Sequence, residues 1–163
     1  QAARLYGIDV SGKAPLASTR AGEFGLEGLV GYTNGRNLDT GDNLYNIMPL
    51  NAKLMLTHRH GGWDNVLELA MAAAKDDVSA ERNEVETAGY ALVNLRASYS
   101  WPKVRIDLGV ENLFDTFYSL PLGGAYLGQG TTMTSTPVGS VPVWGTAVPG
   151  TGRSIYAGVK VTF

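Results

Sequence analysis

The chain has 163 residues, 44% hydrophobic and only 17% charged, with a formal net charge of −2. This balance excludes a disordered chain and offers no basic field for nucleic acid. Cysteine is absent, which removes disulfides and thiolate metal sites, and no apolar run reaches the ~18 residues of a transmembrane helix.

A membrane β-barrel remains compatible with this composition, because every second strand residue faces water or lumen. The chain opens on Gln1-Ala2-Ala3 with no signal-peptide pattern. The expectation is therefore a mature segment or fragment whose upstream part lies elsewhere.

Period-two alternation recurs along the whole chain. "RLYGIDVS" (4–11) places Tyr6, Ile8 and Val10 on one face and Asp9 on the other. "AGEFGLEGLVGYT" (21–33) groups Phe24, Leu26, Val30 and Tyr32 against Glu23 and Glu27. "LNAKLMLTH" (50–58) alternates Leu50, Ala52, Leu54 and Leu56 with Asn51, Lys53 and Thr57. "NVLELAMA" (65–72) sets Leu67, Leu69 and Met71 against Glu68. The alanines that follow favour helix, but the flanks and the short link to the preceding segment favour a strand. "ALVNLRASY" (91–99) sets Val93, Leu95, Ala97 and Tyr99 against Asn94, Arg96 and Ser98. "VRIDLGVE" (104–111) is the cleanest, with Val104, Ile106, Leu108 and Val110 opposite Arg105, Asp107 and Glu111. The last, "GRSIYAGVKVTF" (152–163), puts Ile155, Ala157, Val159, Val161 and Phe163 on one face. The fold class predicted is all-β, an antiparallel meander of about seven strands.

The connections alternate in length. They span about 10 residues at 12–21, about 15 at 35–49, about 2 at 61–62, about 13 at 75–87 and about 2 at 101–102. The final one, 119–152, has 34 residues. Antiparallel neighbours then have their shorter turns at one end and their longer loops at the other, as outer-membrane barrels do. A loop as long as 119–152 is rare in a compact domain and usually functional. It is rich in Gly, Pro, Ser and Thr, and it is read as having no secondary structure of its own.

Four stretches carry a family resemblance. "GVENLFDTFYSLPLGG" (109–124) resembles the next-to-last strand of TonB-dependent outer-membrane receptors, whose pattern is VENLFD-x-x-Y. "PGTGRSIYAGVKVTF" (149–163) resembles the last strand, which begins near Gly-Arg and ends in Phe. "GYALVNLRASYSW" (89–101) resembles the strand before them, and "GYTNGRNLDTGDNLYNIMPLNAKLMLTHRHGGW" (31–63) an earlier region. The resemblance covers most of the chain from about residue 21, in the family's order. It implies that residues 1–163 are the C-terminal portion of a 22-stranded transmembrane β-barrel, without the plug domain and the first strands.

The resemblance also implies a role and a setting. The family imports scarce nutrients such as ferric siderophores across the outer membrane, driven by TonB, which contacts an N-terminal region not found in this sequence. The implied partners are the TonB complex, the lipid bilayer, a ferric siderophore or similar ligand, and the outer-membrane barrel assembly machinery. Tyr156 and Phe163 in the last strand are the implied assembly signal. Loop residues Tyr126, Gln129 and Trp144 are the candidates for ligand contact, from loop length and aromatic content. Neither an enzymatic activity nor a cofactor is expected.

The alternative is a soluble β-sandwich binding module, which would bury one face of its strands. A complete small barrel is a third reading and needs an even strand number. His58 and His60 face one side of a strand and could start a metal site, but no third ligand is near in sequence and a structural role at the interface is expected. Asp76, Asp77, Glu81, Glu84 and Glu86 form an acidic stretch read as a solvated loop. Asp39 and Asp42 in "NLDTGDN" are read as a turn. No nucleophile elbow or phosphate-binding glycine motif is present. Trp63 and Trp101 both adjoin short turns, which points to an aromatic girdle at one end.

Overall fold

The computed structural model describes residues 2–126, 134–138, 141–143 and 145–162. Its main element is one seven-stranded antiparallel sheet. The strands are β1 (Ala3–Thr19), β2 (Gly22–Asn37), β3 (Asn51–His60), β4 (Trp63–Ala72), β5 (Tyr90–Ser100), β6 (Val104–Glu111) and β11 (Ser154–Val161). Each pairs with the next in that order. No helix occurs among the described residues, and the alanine-rich 67–77 segment is strand up to Ala72.

The register shows why alternation dictates this sheet. Directly opposed residues share a face. One row crosses all seven strands as Ala14, Leu26, Leu56, Leu67, Leu95, Val110 and Ile155. The opposite face carries Glu23, Arg59, Asp64, Ser98 and Asp107 in another row. A one-residue slip would exchange the faces completely. The predicted faces of 104–111 and 152–163 are therefore those observed.

The apolar face is not covered. Among the described residues the buried apolar side chains are Ala72 and Leu92 in the sheet and Pro121 in a loop. Leu108 is 53% exposed and Ile155 76%. A sandwich would pack that face against a second sheet. A single layer, wet on one face and apolar on the other, is the wall of a membrane barrel.

Two boundaries differ from the sequence reading. β1 and β2 are longer than predicted, so the first connection is only Arg20 and Ala21. Gly and Pro weaken strands, yet the ladder continues through Gly12 and Pro15 and shifts register between Pro15 and Ala17. A bulge tolerates a residue that lacks an N–H. The final connection, 112–153, also has structure of its own. β7 (Ala125–Tyr126) pairs with β10 (Thr146–Ala147), and β8 (Thr134–Val138) pairs with β9 (Val141–Val143). Its Gly and Pro content hid these short ladders.

The short turns of the seven-stranded sheet lie at one end: 20–21, 61–62 and 101–103. The loops at the other end are 38–50, 73–89 and 112–153. At the short-turn end Gly61 has φ 57°, a conformation glycine adopts without a Cβ clash.

Candidate functional site

The long-loop end holds most of the buried polar groups, and it is organised by a lysine. Lys75 follows β4, where the strand pattern ends, and makes a bridge with Thr87 across its own loop. Its side chain is 2% exposed and that of Glu84 is 4% exposed. Lys75 Nζ lies 2.5 Å from Glu84 Oε1 and donates to the Pro121 carbonyl at 2.9 Å. Glu84 also accepts from the Asn46 N–H at 2.9 Å and the Ser79 N–H at 2.8 Å. One buried ion pair thus ties together loops 38–50, 73–89 and 112–153. A buried charge without such partners would be costly.

Asp42 adds a second tie between the first two loops. Its carboxylate accepts from the Ser79 hydroxyl at 3.0 Å, the Ala80 N–H at 3.2 Å and the Glu81 N–H at 3.1 Å. The Glu81 N–H is the main cause that holds the Asp42 carboxyl below its ordinary value of 3.8, opposed by desolvation and aided by Ala80, Ser79 and Asn43. Hydrogen bonds to the charged form favour that form.

The Asn112 and Asp115 pair explains the "NLFD" stretch physically. Asn112 is 3% exposed and has φ 50°, in the left-handed region that Asn tolerates. Its amide donates to Thr116 O at 2.9 Å and Thr151 O at 3.3 Å, and its Oδ1 accepts from the Thr116 N–H at 2.8 Å. Its backbone N–H donates to Asn94 Oδ1. Asp115, at φ 54°, accepts from the Arg153 N–H at 2.7 Å. Together they join the exit of β6 to the entry of β11, so the long loop leaves and returns at fixed points.

The polar face below is a charged wall. Glu68 is 5% exposed, accepts from Asn94 Nδ2 at 2.7 Å and lies 3.8 Å from Arg96. Arg105 donates to Asp107 at 2.8 Å and to Ser98 Oγ at 2.8 Å. Glu68 with Asn94 and Arg96, and Arg105 with Ser98, pair across neighbouring strands, as their register allows, while Arg105 and Asp107 pair within β6.

The predicted site residues fall as follows. Tyr126 pairs through its backbone with Thr146 in β7 and β10; Gln129, Trp144 and Phe163 lie outside the described residues. Tyr156 faces the polar side, opposite Gly109, and its ring fills the space a Cβ there would need. His58 bonds through Nε2 to Ala21 O at 2.8 Å and through Nδ1 to Asn65 at 3.2 Å, and it packs on Phe24 at 4.7 Å. These contacts give His58 a structural role at the short-turn end, and no group of three His, Cys, Asp or Glu able to hold a metal occurs among the described residues. Glu84 corrects the reading of the acidic stretch as solvated: it is buried against Lys75. Sequence reasoning missed Lys75, whose one signal was its place as the first charge after an apolar strand.

Trp63, Tyr99 and Trp101 form a ring cluster beside two of the short turns, with centroids 5.0 and 4.4 Å apart in edge-to-face contact. Trp63 and Trp101, which adjoin separate short turns, thus meet through Tyr99.

A family model described as "TonB dependent receptor-like, beta-barrel" matches residues 1–113. Among solved structures the chain is similar to the copper transporter OprC, with 24% identity and a TM-score of 0.82. That match covers 99% of this chain and 24% of the transporter. At this identity the likeness is one of fold. No curated protein matches.

Proposed function

The chain belongs to the TonB-dependent receptor β-barrel family of the outer membrane, and from that premise we propose that it is part of the wall and mouth of a transporter for a scarce nutrient. On this reading residues 1–163 are one contiguous stretch of a larger barrel, of 22 strands in the family's form. The ligand class is a ferric siderophore or similar chelate, and the energy comes through the TonB complex. The barrel assembly machinery reads the strand that carries Tyr156 and Phe163, with Tyr156 seated over Gly109.

The observation that carries the reading is the polarity of the sheet along its strands. The long loops gather at one end, held by Lys75 and Glu84 beneath three of them. The charged wall of Glu68, Arg96, Arg105 and Asp107 lies on one face below. A barrel built from this wall has a structured mouth over a polar lumen. The loop 112–153 is the longest at that mouth and carries Tyr126, Gln129 and Trp144 as ligand contacts.

Uptake by the full-length protein in the outer membrane tests this. Deleting residues 125–145 should weaken transport of a ferric siderophore while the barrel still inserts. Unchanged uptake would overturn the assignment of the loop. Uptake of copper(II) in place of iron would move the ligand class toward that of the similar transporter.

A further inference from the structure

The face that meets lipid is not smooth. On the apolar side, a trough of about 660 Å³ runs between Leu56, Leu67 and Leu95 on one flank and Leu108 and Ile155 on the other. Its floor is low because Ala97 and Ala157, set on either side of Leu108, are small. A second hollow of about 270 Å³ continues it toward the short turns, framed by Trp63, Tyr99 and Trp101. The two share Ala97 and Leu108. From the Tyr99 row to the Leu95 row the trough follows about 13 Å of strand.

We propose that this trough is a binding site for one glycerophospholipid of the leaflet at the short-turn end. Three observations select that occupant over bulk lipid or a protein surface. The trough is lined mainly by apolar side chains, so a single acyl chain fills it and recovers the dispersion contacts that an empty groove forfeits. It ends at an aromatic wall, and aromatic rings settle at headgroup depth. The only ionisable residues in the three short turns are Arg20 and Lys103, both cations. Lys103 is exposed and lies in the same short turn as Trp101. Asn65 and His58 add polar groups along one flank. Asn65 spends one amide hydrogen on His58 and keeps a second that an ester carbonyl of the glycerol backbone can accept. Plain hydrocarbon would use neither the cation nor the amide.

Native mass spectrometry of the full-length protein, purified in mild detergent and supplied with phosphatidylglycerol, tests the site. The wild type should retain one phosphatidylglycerol more than Ala97→Trp, whose indole fills the floor. Lys103→Glu lies in an exposed turn and leaves the trough intact; it should lower retention of the anionic lipid by about fivefold or more, since one basic residue near a phosphate surface contributes about 1 kcal/mol. If Ala97→Trp does not insert, Lys103→Glu and Lys103→Gln carry the test alone. Equal lipid retention in wild type and variants would overturn the proposal. So would a retained mass equal to a second copy of the protein.

Discussion

Lys75→Met is the sharpest perturbation available. It removes the cation from a pair whose members are 2% and 4% exposed. Glu84 keeps the N–H groups of Asn46 and Ser79, and these soften the loss without replacing the charge. The Pro121 carbonyl loses its donor as well, and an orphaned buried acceptor costs about 1–3 kcal/mol. Breaking a buried pair from one side costs about 3–5 kcal/mol in total. The loss is local, because the strand ladder below does not depend on it. Each 1.4 kcal/mol is about a tenfold change in an opening equilibrium. Amide hydrogen exchange of the full-length protein should therefore rise by roughly two to three and a half orders of magnitude. The rise should appear together in residues 42–46, 76–87 and 118–122, because one pair holds all three segments. Replacing both partners, Lys75→Met with Glu84→Leu, should recover much of the protection, since no charge is then left buried. Faster exchange confined to 73–89, or no change in any loop, would refute the idea of a single latch.

Other outcomes follow from the same geometry. The lowered Asp42 carboxyl contributes stability above its ordinary value of 3.8, and that contribution is lost as pH falls through the lower folded value. A spin label at Ala80 should stay immobile at pH 6 and loosen only once the pH falls through the lowered folded value, beneath 3.8, whereas Asp42→Asn should show the looser state already at pH 6. On the polar wall, Glu68→Gln keeps an acceptor for Asn94 and should cost under about 1 kcal/mol in urea refolding, whereas Glu68→Ala takes the acceptor from the Asn94 amide N–H and should cost about 1–3 kcal/mol. Gly109→Val places a side chain where the Tyr156 ring sits, so it should displace that ring and cost about 1–3 kcal/mol; the folded fraction by gel mobility measures it. Asn112→Ala removes the contacts to Thr116 and Thr151, and exchange at both roots of the long loop should rise together.

Much of this protein was legible in its residue order. Alternation of period two has only one solution per strand, so the apolar and polar faces of Val104–Glu111 and Ser154–Val161 could be read before any coordinates. The alternation of connection lengths set which end was tight. "VENLFD" named the family, and the family model agrees over residues 1–113. The aromatic cluster at the short turns was visible as Trp63 and Trp101 flanking them.

What the order could not reveal depends on residues far apart in sequence. Lys75 meets Pro121 across 46 positions and Asp42 meets Ser79 across 37. No local pattern encodes such contacts, so Glu84 looked like one more solvated acid. Asn112 reads as a motif letter until Thr151 is folded back onto it. The trough exists only because the register sets Ala97 beside Leu108 and Ala157 beyond it. Side-chain period is a property of one strand, and sequence states it directly. Burial and charge pairing are properties of strands and loops brought side by side, and only the tertiary structure decides them.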